Sequence, residues 1–273
     1  MDRLIRRRFG KHIPQSFIEK AIRTGNVLVN GQKTSSSAKV SDDCSVYVNE
    51  SLFNRFKEDE QKRQYSGDSE FKKMIIYEDE NLIVINKPAG LAVQLGSKTT
   101  ESIDTMAKSY NQEARLVHRI DKETSGITIL AKNLKTSRYM TLLFKNKQIH
   151  KGYMAIVSGS NLREKGTINV PLAKEKESVV VDKINGKETI TEYTVQKRLN
   201  NGLALIAAYP KTGRTHQIRV HLKHIGCPIL GDKKYSGRSF KKLCLHAHKV
   251  SFVDIKGKNV KITAPLPEYM SLL

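Results

Sequence analysis

Short runs of β-branched and aliphatic residues recur along residues 74–273, and they limit the folds open to this chain. Such runs, separated by turn-forming residues, are typical of strands. The predicted strands are residues 74–77, 82–85, 114–117, 127–130, 151–157, 189–195, 203–208, 215–222, 244–252 and 260–263. Two segments, 102–110 and 134–145, have helical spacing instead. We therefore expect an α+β domain with a mixed, mainly antiparallel sheet over residues 74–273.

A smaller unit is predicted at the amino terminus, in residues 1–48. Pro14 suits the start of a helix, and Gly25 suits its end. Apolar strands are predicted at 27–29 and 46–48, and Asn30-Gly31 is the dipeptide favoured in tight hairpin turns. Residues 49–73 are polar, with as many acidic as basic side chains, so we expect them to be a linker that forms no core of its own.

The chain is strongly basic, with 48 lysines and arginines against 27 aspartates and glutamates and a formal net charge of +21. A surface of this charge attracts polyanions, of which RNA and DNA are the commonest, although charge alone does not choose among nucleic acid, an anionic membrane and simple solubility. The three cysteines lack paired spacing, which argues against a disulfide framework and a cysteine-rich zinc site. Neither an 18-residue apolar run nor a secretory signal is present, so we expect a cytoplasmic protein with no membrane partner.

Residues 118–126 read H-R-I-D-K-E-T-S-G, which places a histidine, an arginine and a carboxylate within four positions. Predicted strands flank this segment, so Asp121 is expected in a loop held at both ends by a sheet, where a carboxylate is exposed and rigid. We expect His118 to orient the loop rather than to transfer protons. The alternative is a plain turn in which Asp121 and Thr124 satisfy backbone donors. The histidines lack metal-binding spacing, so no metal site is expected.

Residues 118–126 resemble the H-R-L-D-x-x-T-S-G signature of the RluA-type pseudouridine synthases, with Ile120 at the usual leucine position. Residues 213–221, G-R-T-H-Q-I-R-V-H, are similar to that family's G-R-T-H-Q-I-R-x-H motif. Residues 86–94 resemble a third motif, N-K-P-x-G-L-x-V-H, except that Gln94 replaces the common histidine, and we assign Gln94 no catalytic role. The resemblance implies an enzyme that isomerises uridine to pseudouridine in RNA without a cofactor.

The resemblance also implies roles for individual residues. Asp121 is the expected nucleophile or charge stabiliser, and Arg219 is the arginine expected to pair with it; a phosphate-contacting arginine is the alternative for Arg219. Tyr153 is expected to stack under the flipped uracil, and Arg119 to fill the space that the extruded base leaves. Two apolar residues are expected to complete the pocket, Ile218 beneath Tyr153 and Leu245 beside the uracil.

Residues 22–31 read I-R-T-G-N-V-L-V-N-G and resemble the I-x-x-G-x-V-x-V-N-G motif of S4 RNA-binding domains. The start of the chain departs from that family, since R-L-I at residues 3–5 stands where R-L-D is common. The resemblance implies a small S4 (αL-type) domain over residues 1–48. The basic residues expected to contact RNA there are Arg3, Arg6, Arg7, Arg8, Lys20 and Arg23. The alternative is a charged helical hairpin with solvated arginines.

An S4 domain followed by this catalytic domain is most similar to the RluC-like and RluD-like members of the family, which modify large-subunit ribosomal RNA, and we favour the RluC-like kind. The expected substrate is then 23S ribosomal RNA, and we expect a monomer. Two alternatives stay open: a non-catalytic RNA-binding or ribosome-assembly factor that kept the fold, and a synthase that acts on tRNA. The sequence also leaves open whether Asp121 attacks the ribose or the uracil.

Overall fold

The computed structural model describes residues 1–10, 13–41, 43–95, 101–159 and 162–273, with the backbone alone for residues 57–68. The chain divides into two compact units, Met1–Ser66 and Gly67–Leu273. Across the described ranges, none of the helices combines the length and the apolar character that are needed to cross a membrane.

The first unit packs two helices against a small sheet. Helices α1 (Asp2–Phe9) and α2 (Gln15–Arg23) precede strands β1 (Val27–Val29), β2 (Gln32–Lys33) and β3 (Val46–Val48), which pair antiparallel in the order β2-β1-β3. The predicted hairpin turn is confirmed, since Asn30 and Gly31 have φ angles of 50° and 75°, and this turn type requires positive φ at both positions. The core is formed by apolar residues that include Ile5, Ile18, Ile22 and Val27.

The segment that was expected to be a linker, 49–73, lies almost entirely within helix α3 (Glu50–Met74), and the boundary between the two units falls inside it. Two aromatic side chains of this helix are fully buried, Phe53 in the core of the first unit and Phe71 in a core cluster of the second. The physical reason is local. Apolar residues recur at helical spacing near the start of the segment, and its many Glu, Lys and Arg residues favour helix. The polar average composition concealed both features.

The second unit contains the remaining strands and helices. Its strands are β4 (Ile75–Glu78), β5 (Leu82–Lys87), β6 (Arg115–Leu116), β7 (Ser125–Ala131), β8 (His150–Ser158), β9 (Lys165–Asn169), β10 (Leu172–Glu175), β11 (Ser178–Val181), β12 (Ile190–Arg198), β13 (Leu203–Pro210), β14 (Leu245–Val253) and β15 (Asn259–Thr263). Its helices are α4 (Ile103–Tyr110), α5 (Leu134–Lys145), α6 (Gln217–His224) and α7 (Glu268–Ser271). Strands β9, β10 and β11 were not predicted.

A ten-stranded sheet organises the second unit. Its strand order is β4-β5-β7-β14-β8-β13-β12-β9, with β6 paired to β7 and β15 paired to β14. The pairings are antiparallel except that of β7 with β14, so the predicted mixed, mainly antiparallel sheet is confirmed. In the parallel pair, Ser125 lies opposite His246 and Gly126 opposite Ala247. The start of β14 is thereby held beside the loop that carries Asp121.

The structure corrects one predicted strand, residues 215–222, most of which lie in helix α6. The alternation of apolar and polar residues in I-R-V-H-L indicated a strand with one solvated face. In the structure the polar members, Arg219 and His221, are buried as well. Ile218 and Leu222, four residues apart, enter the same apolar cluster, as side chains one helical turn apart do. The prediction was wrong because Arg219 and His221 are buried, which the sequence pattern does not reveal.

Candidate active site

The six residues predicted for the catalytic pocket line one cavity of about 490 Å³ of empty space. They come from separate parts of the second unit, since Asp121 and Arg119 lie in the loop before β7, Tyr153 in β8, and Leu245 at the start of β14; Arg219 and Ile218 lie in α6. The structure thus brings together residues that are up to about 125 positions apart in the chain.

The loop that presents Asp121 is held by a buried lysine. Lys87 is fully buried, and its Nζ donates to the carbonyl oxygens of Pro88, Leu91 and Lys122 at 2.9, 2.8 and 3.0 Å. The Lys122 carbonyl also accepts the Gly90 N–H at 2.9 Å. Burial lowers the pKa of Lys87 to about 7. The third sequence motif therefore braces the backbone next to Asp121.

His118 supports the same loop as a neutral acceptor. Its Nε2 accepts the backbone N–H of Ile129 at 2.9 Å, and its ring stacks on Phe144 with 4.5 Å between centroids. Burial, with a smaller contribution from the Lys151 charge, lowers the pKa of His118 to about 3. A ring nitrogen that accepts a backbone proton cannot also carry one. This geometry agrees with a loop-orienting role for His118.

The other end of the loop is tied to β14. Ser125 Oγ lies 2.9 Å from His246 Nδ1, and both side chains are buried. Burial lowers the pKa of His246 to about 4, so this ring is neutral too. The contact joins the strand that leaves the Asp121 loop to the residue that follows Leu245, which lines the pocket.

Arg219 lies between two carboxylates. Its Nη1 is 3.4 Å from Asp121 Oδ2, while its Nε and Nη2 donate to Asp232 at 2.8 Å each. The side chain of Asp121 is 24% exposed, and that of Asp232 is fully buried. Burial opposes the charge on Arg219, but the hydrogen bonds and charge of Asp232, followed by the charge of Asp121, raise the pKa of Arg219. Arg219 therefore stays cationic beside Asp121.

Tyr153 lies on the central strand β8, opposite Ala208 of β13 and Ala247 of β14. Small residues on both neighbouring strands leave room for its ring at the pocket. Burial raises the pKa of Tyr153, and the nearby Asp121 charge raises it further. The hydroxyl is therefore protonated at neutral pH.

Three further residues, none of which was assigned a role from the sequence, complete the site. His216 Nε2 lies 3.7 Å from Asp121 Oδ2, and its Nδ1 lies 2.7 Å from the Tyr235 hydroxyl. Burial lowers the pKa of His216, against the effect of the Asp121 charge. Lys151 also lines the pocket and donates to the Thr212 carbonyl at 3.2 Å. His216 lies inside the motif at residues 213–221 and Lys151 begins the predicted strand 151–157, whereas no sequence signal pointed to Tyr235.

The rim of the pocket is cationic. Arg119 and Arg214 are exposed there, and Lys151 and Arg219 lie deeper. Asp121 is the acidic residue among those that line the cavity. A polyanion is thus attracted to the pocket while one carboxylate remains within it. Elsewhere in the described ranges, no cluster of three or more His, Cys, Asp or Glu side chains is arranged to hold a metal ion.

The basic residues predicted to bind RNA in the first unit fall into two groups. Arg3, Arg7, Lys20 and Arg23 are exposed on helices α1 and α2. Arg6 is instead engaged within the unit, since it donates to Asp2, to the Ile13 carbonyl and to Gln15. Arg8 is exposed as well, at 57% of its side chain, but its guanidinium is paired with Glu50.

Comparison with known proteins gives a consistent set of matches. The sequence model of the family described as RNA pseudouridylate synthase matches residues 81–224. The Rickettsia typhi protein named ribosomal large subunit pseudouridine synthase C is 38% identical over 290 residues, which cover 99% of this chain and 95% of the relative. The Vibrio cholerae protein of the same name is 34% identical over 277 residues, which cover 95% and 87%.

Two solved structures have a similar fold. The human protein called RNA pseudouridylate synthase domain containing 4 aligns with a TM-score of 0.64 and 26% identity, covering 76% of this chain and 95% of its own. The human domain containing 1 protein aligns with a TM-score of 0.62 and 25% identity, covering 71% and 83%.

Proposed function

Because this chain belongs to the RNA pseudouridylate synthase family, we propose that it isomerises uridine to pseudouridine in large-subunit ribosomal RNA, with Asp121 as the essential carboxylate. The observation that carries this proposal is the meeting of Asp121, Arg219 and Tyr153 at one pocket of a strongly basic chain. Both relatives described above are named for the ribosomal large subunit, which supports ribosomal RNA over tRNA as the substrate.

The reaction first requires access to the base. A stacked uridine must be swung out of the RNA before a protein can reach C1′ or C5, at a cost of a few kcal/mol. Arg119 is exposed at the rim of the pocket, and its planar guanidinium suits the space that an extruded base leaves. The cationic rim binds the flanking phosphates, and this binding offsets the cost of unstacking.

The bonds that change define what the pocket must do. The C1′–N1 bond of uridine breaks, the uracil turns and a C5–C1′ bond forms; the proton on C5 is lost to solvent, and N1 takes up a proton, so the product is an isomer of the substrate. A carboxylate can assist either by attacking carbon or by stabilising an electron-poor ribose. In support of this proposal, Asp121 lies in a braced loop and Arg219 provides a cation beside it. Both routes require an ionised Asp121, and the proposal covers attack at the ribose or at the uracil.

Tyr153 is proposed to support the uracil ring while it turns. A phenol ring offers a flat apolar face to a base and a protonated hydroxyl near the ribose. Ile218 and Leu245 line the same cavity and give the base an apolar wall. The apolar lining holds the detached uracil in the pocket without fixing its orientation.

Tritium release tests the proposed activity. Each conversion replaces C5–H by C5–C1′, so RNA made with tritium at uracil C5 should lose label to water in step with turnover. We expect the full-length chain to release tritium from a large-subunit ribosomal RNA transcript and not from a pool of tRNA transcripts. Release from tRNA alone would assign the activity to tRNA. Tight binding to ribosomal RNA without release would identify a non-catalytic RNA-binding factor.

We also propose that the first unit is an S4-type RNA-binding domain. Arg3 and Arg7 are exposed and lie four residues apart on α1, on one face of the helix. Replacing both with alanine should flatten the dependence of log Kd on log salt by about 1.5, because each neutralised phosphate contributes about 0.7 to 0.9. The measurement is RNA binding by the full-length variant across a salt series.

A matched variant removes the same charge elsewhere. Lys258 and Lys261 are exposed at and next to strand β15 of the second unit, and their double alanine variant loses two positive charges as well. We expect the salt slope of this control to stay close to that of the wild type. Equal slopes for the Arg3/Arg7 variant and the wild type would show that these arginines do not contact phosphates.

A further inference from the structure

The turn formed by residues 231–235 contacts Arg219 and His216, whose side-chain nitrogen atoms face Asp121. It follows α6 in the chain and is outside residues 81–224, the part that the family's sequence model matches. The Oδ1 atom of Asp232 accepts the backbone N–H groups of Lys234 and Tyr235, both at 3.1 Å. Its side chain is wholly buried, so contacts within the protein set its orientation. We call this segment the 231–235 turn.

Asp232 engages most of the guanidinium of Arg219. Its two carboxylate oxygens accept from Nε and Nη2 at 2.8 Å each, the bidentate geometry that orients an arginine most firmly. Nη1 is the nitrogen that faces Asp121, at the longer distance of 3.4 Å. Arg219 therefore places a positive charge beside Asp121 without a short hydrogen bond to its oxygens.

Tyr235 contacts His216, the second residue with a nitrogen atom that faces Asp121. Its hydroxyl oxygen accepts the Val179 N–H at 3.1 Å and lies 2.7 Å from His216 Nδ1. Because a backbone N–H already occupies one acceptor position of this oxygen, the phenol proton is free to be donated to Nδ1. The imidazole proton then lies on Nε2, the atom that is 3.7 Å from Asp121 Oδ2.

Tyr235 also contacts the first donor. The centroid of its ring lies 5.0 Å from Arg219 Cζ, a distance at which the ring attracts a cation. The 231–235 turn thus touches both groups that face the carboxylate of Asp121, one through Asp232 and both through Tyr235.

We propose that the 231–235 turn is a positioning element of the active site, in which Asp232 fixes Arg219 and Tyr235 fixes His216, so that Asp121 is flanked by two oriented donors while its oxygens stay available to the nucleotide. The inference rests on the proposed function. Asp232 and Tyr235 are positioning residues, since they act through Arg219 and His216.

Asp232→Asn tests the first half of the proposal. The amide keeps the volume of the carboxylate but places an N–H₂ group where Arg219 needs an acceptor, which frees the guanidinium to shift. We expect single-turnover tritium release to slow by about 100-fold, the effect of a displacement near 1 Å at a reacting centre. The Kd for RNA should change by less than about threefold, because Asp232 is buried away from the RNA.

A matched control separates this effect from the general loss of a turn aspartate. Asp254 Oδ1 also accepts two backbone N–H groups, those of Lys256 and Lys258, at 2.9 and 2.8 Å. It lies in the turn between β14 and β15. We expect Asp254→Asn to keep the wild-type rate of tritium release within about twofold, since residues 254–258 are not among those that line the pocket.

A double-mutant cycle shows whether Asp232 acts through Arg219. Lysine at position 219 keeps the charge but cannot use both carboxylate oxygens in a fork. In an Arg219→Lys background, adding Asp232→Asn should slow the reaction by less than about threefold, because the interaction that it disrupts is already absent. Full additivity of the two losses would overturn the assignment of Asp232 as the residue that positions Arg219.

If Asp232→Asn does not fold, Tyr235→Phe tests the proposal in its place. This substitution removes one hydroxyl group and keeps the contact between the aromatic ring and Arg219. We expect release to slow by about fivefold, the equivalent of one lost hydrogen bond, with an unchanged Kd for RNA. Wild-type rates in both Tyr235→Phe and any folded Asp232→Asn variant would overturn the inference. A wild-type chain that releases no tritium would instead refute the proposed function, so the two failures are distinguishable.

Discussion

Asp121→Asn should abolish the release of tritium from C5-labelled RNA, with a rate at least about 10⁴-fold below that of the wild type. Asparagine has nearly the same shape as aspartate and can accept a hydrogen bond from Arg219 Nη1, which lies 3.4 Å from the carboxylate. It lacks the negative charge that attacks carbon or stabilises an electron-poor ribose. RNA affinity should change by less than about threefold, because the cationic rim remains.

Glu123 provides the matched control for this substitution. It lies two positions from Asp121 in the same loop and is exposed, so Glu123→Gln removes the same charge by the same chemical change. We expect its rate of tritium release to stay within about twofold of the wild type. Wild-type turnover in Asp121→Asn would show that this carboxylate takes no part in the chemistry. Loss of RNA binding in that variant would assign Asp121 to substrate docking.

Local sequence patterns were sufficient to predict those helices, strands and turns that depend mainly on neighbouring residues. Helix α5 begins and ends where helical spacing placed it, at Leu134 and Lys145. The Asn30-Gly31 turn required only that its two residues tolerate positive φ. Strand β7 was also predicted, because seven consecutive buried residues give a continuous apolar run that is interrupted only by small and hydroxyl side chains.

Elements decided by tertiary contacts were not predictable in the same way. Helix α6 has buried polar side chains on more than one face, and its Arg219 is tolerated inside because Asp232 neutralises it. Strands β10 and β11 are mostly polar or partly exposed and form a hairpin outside the main sheet. In each case the deciding contact is with residues that are distant in the chain or carry no periodic signal.

The same distinction, between what local sequence shows and what depends on tertiary contacts, applies to the candidate site. Motif resemblance identified the residues that face the cavity, among them Asp121, Arg219 and Tyr153. It did not identify the residues behind them. Asp232 and Tyr235 lie in a short turn whose sequence resembles any polar surface turn, and their position behind Arg219 depends on how that turn packs on α6. The sequence thus indicated which groups meet at the pocket, whereas the three-dimensional structure was needed to find what orients them.

Gly126→Ala should lower the free energy of unfolding by about 3 to 5 kcal/mol, the sum of a backbone penalty and an overpacking penalty. Gly126 has a φ of 108°, where side chains other than glycine are strained. A Cβ at this position would lie 2.3 Å from the Ala247 carbonyl oxygen and 2.6 Å from the Ala247 nitrogen. Both are backbone atoms, which cannot move aside as a flexible side chain can. Urea unfolding of the purified variant measures the loss.

Gly257→Ala separates the two penalties. Gly257 has a φ of 82°, but a Cβ there would meet nothing within 4 Å. This variant carries the backbone strain alone, and we expect it to lose about 1 to 2 kcal/mol. The difference between the two variants then reports the energy of close approach between β7 and β14. Equal losses would show that these strands can separate slightly at no cost.

The consequence of Gly126→Ala for activity follows from where the clash occurs. Ala247 pairs with Gly126 in the parallel β7–β14 contact, and Leu245, two residues earlier in β14, lines the pocket. Separating the strands would also stretch the Ser125–His246 hydrogen bond, now 2.9 Å, which ties the Asp121 loop to β14. At temperatures where the variant is still folded, we therefore expect slower tritium release than from Gly257→Ala. Close strand contact at Gly126 is then both a stability requirement and the means by which the sheet holds the carboxylate of Asp121 against the wall of the pocket.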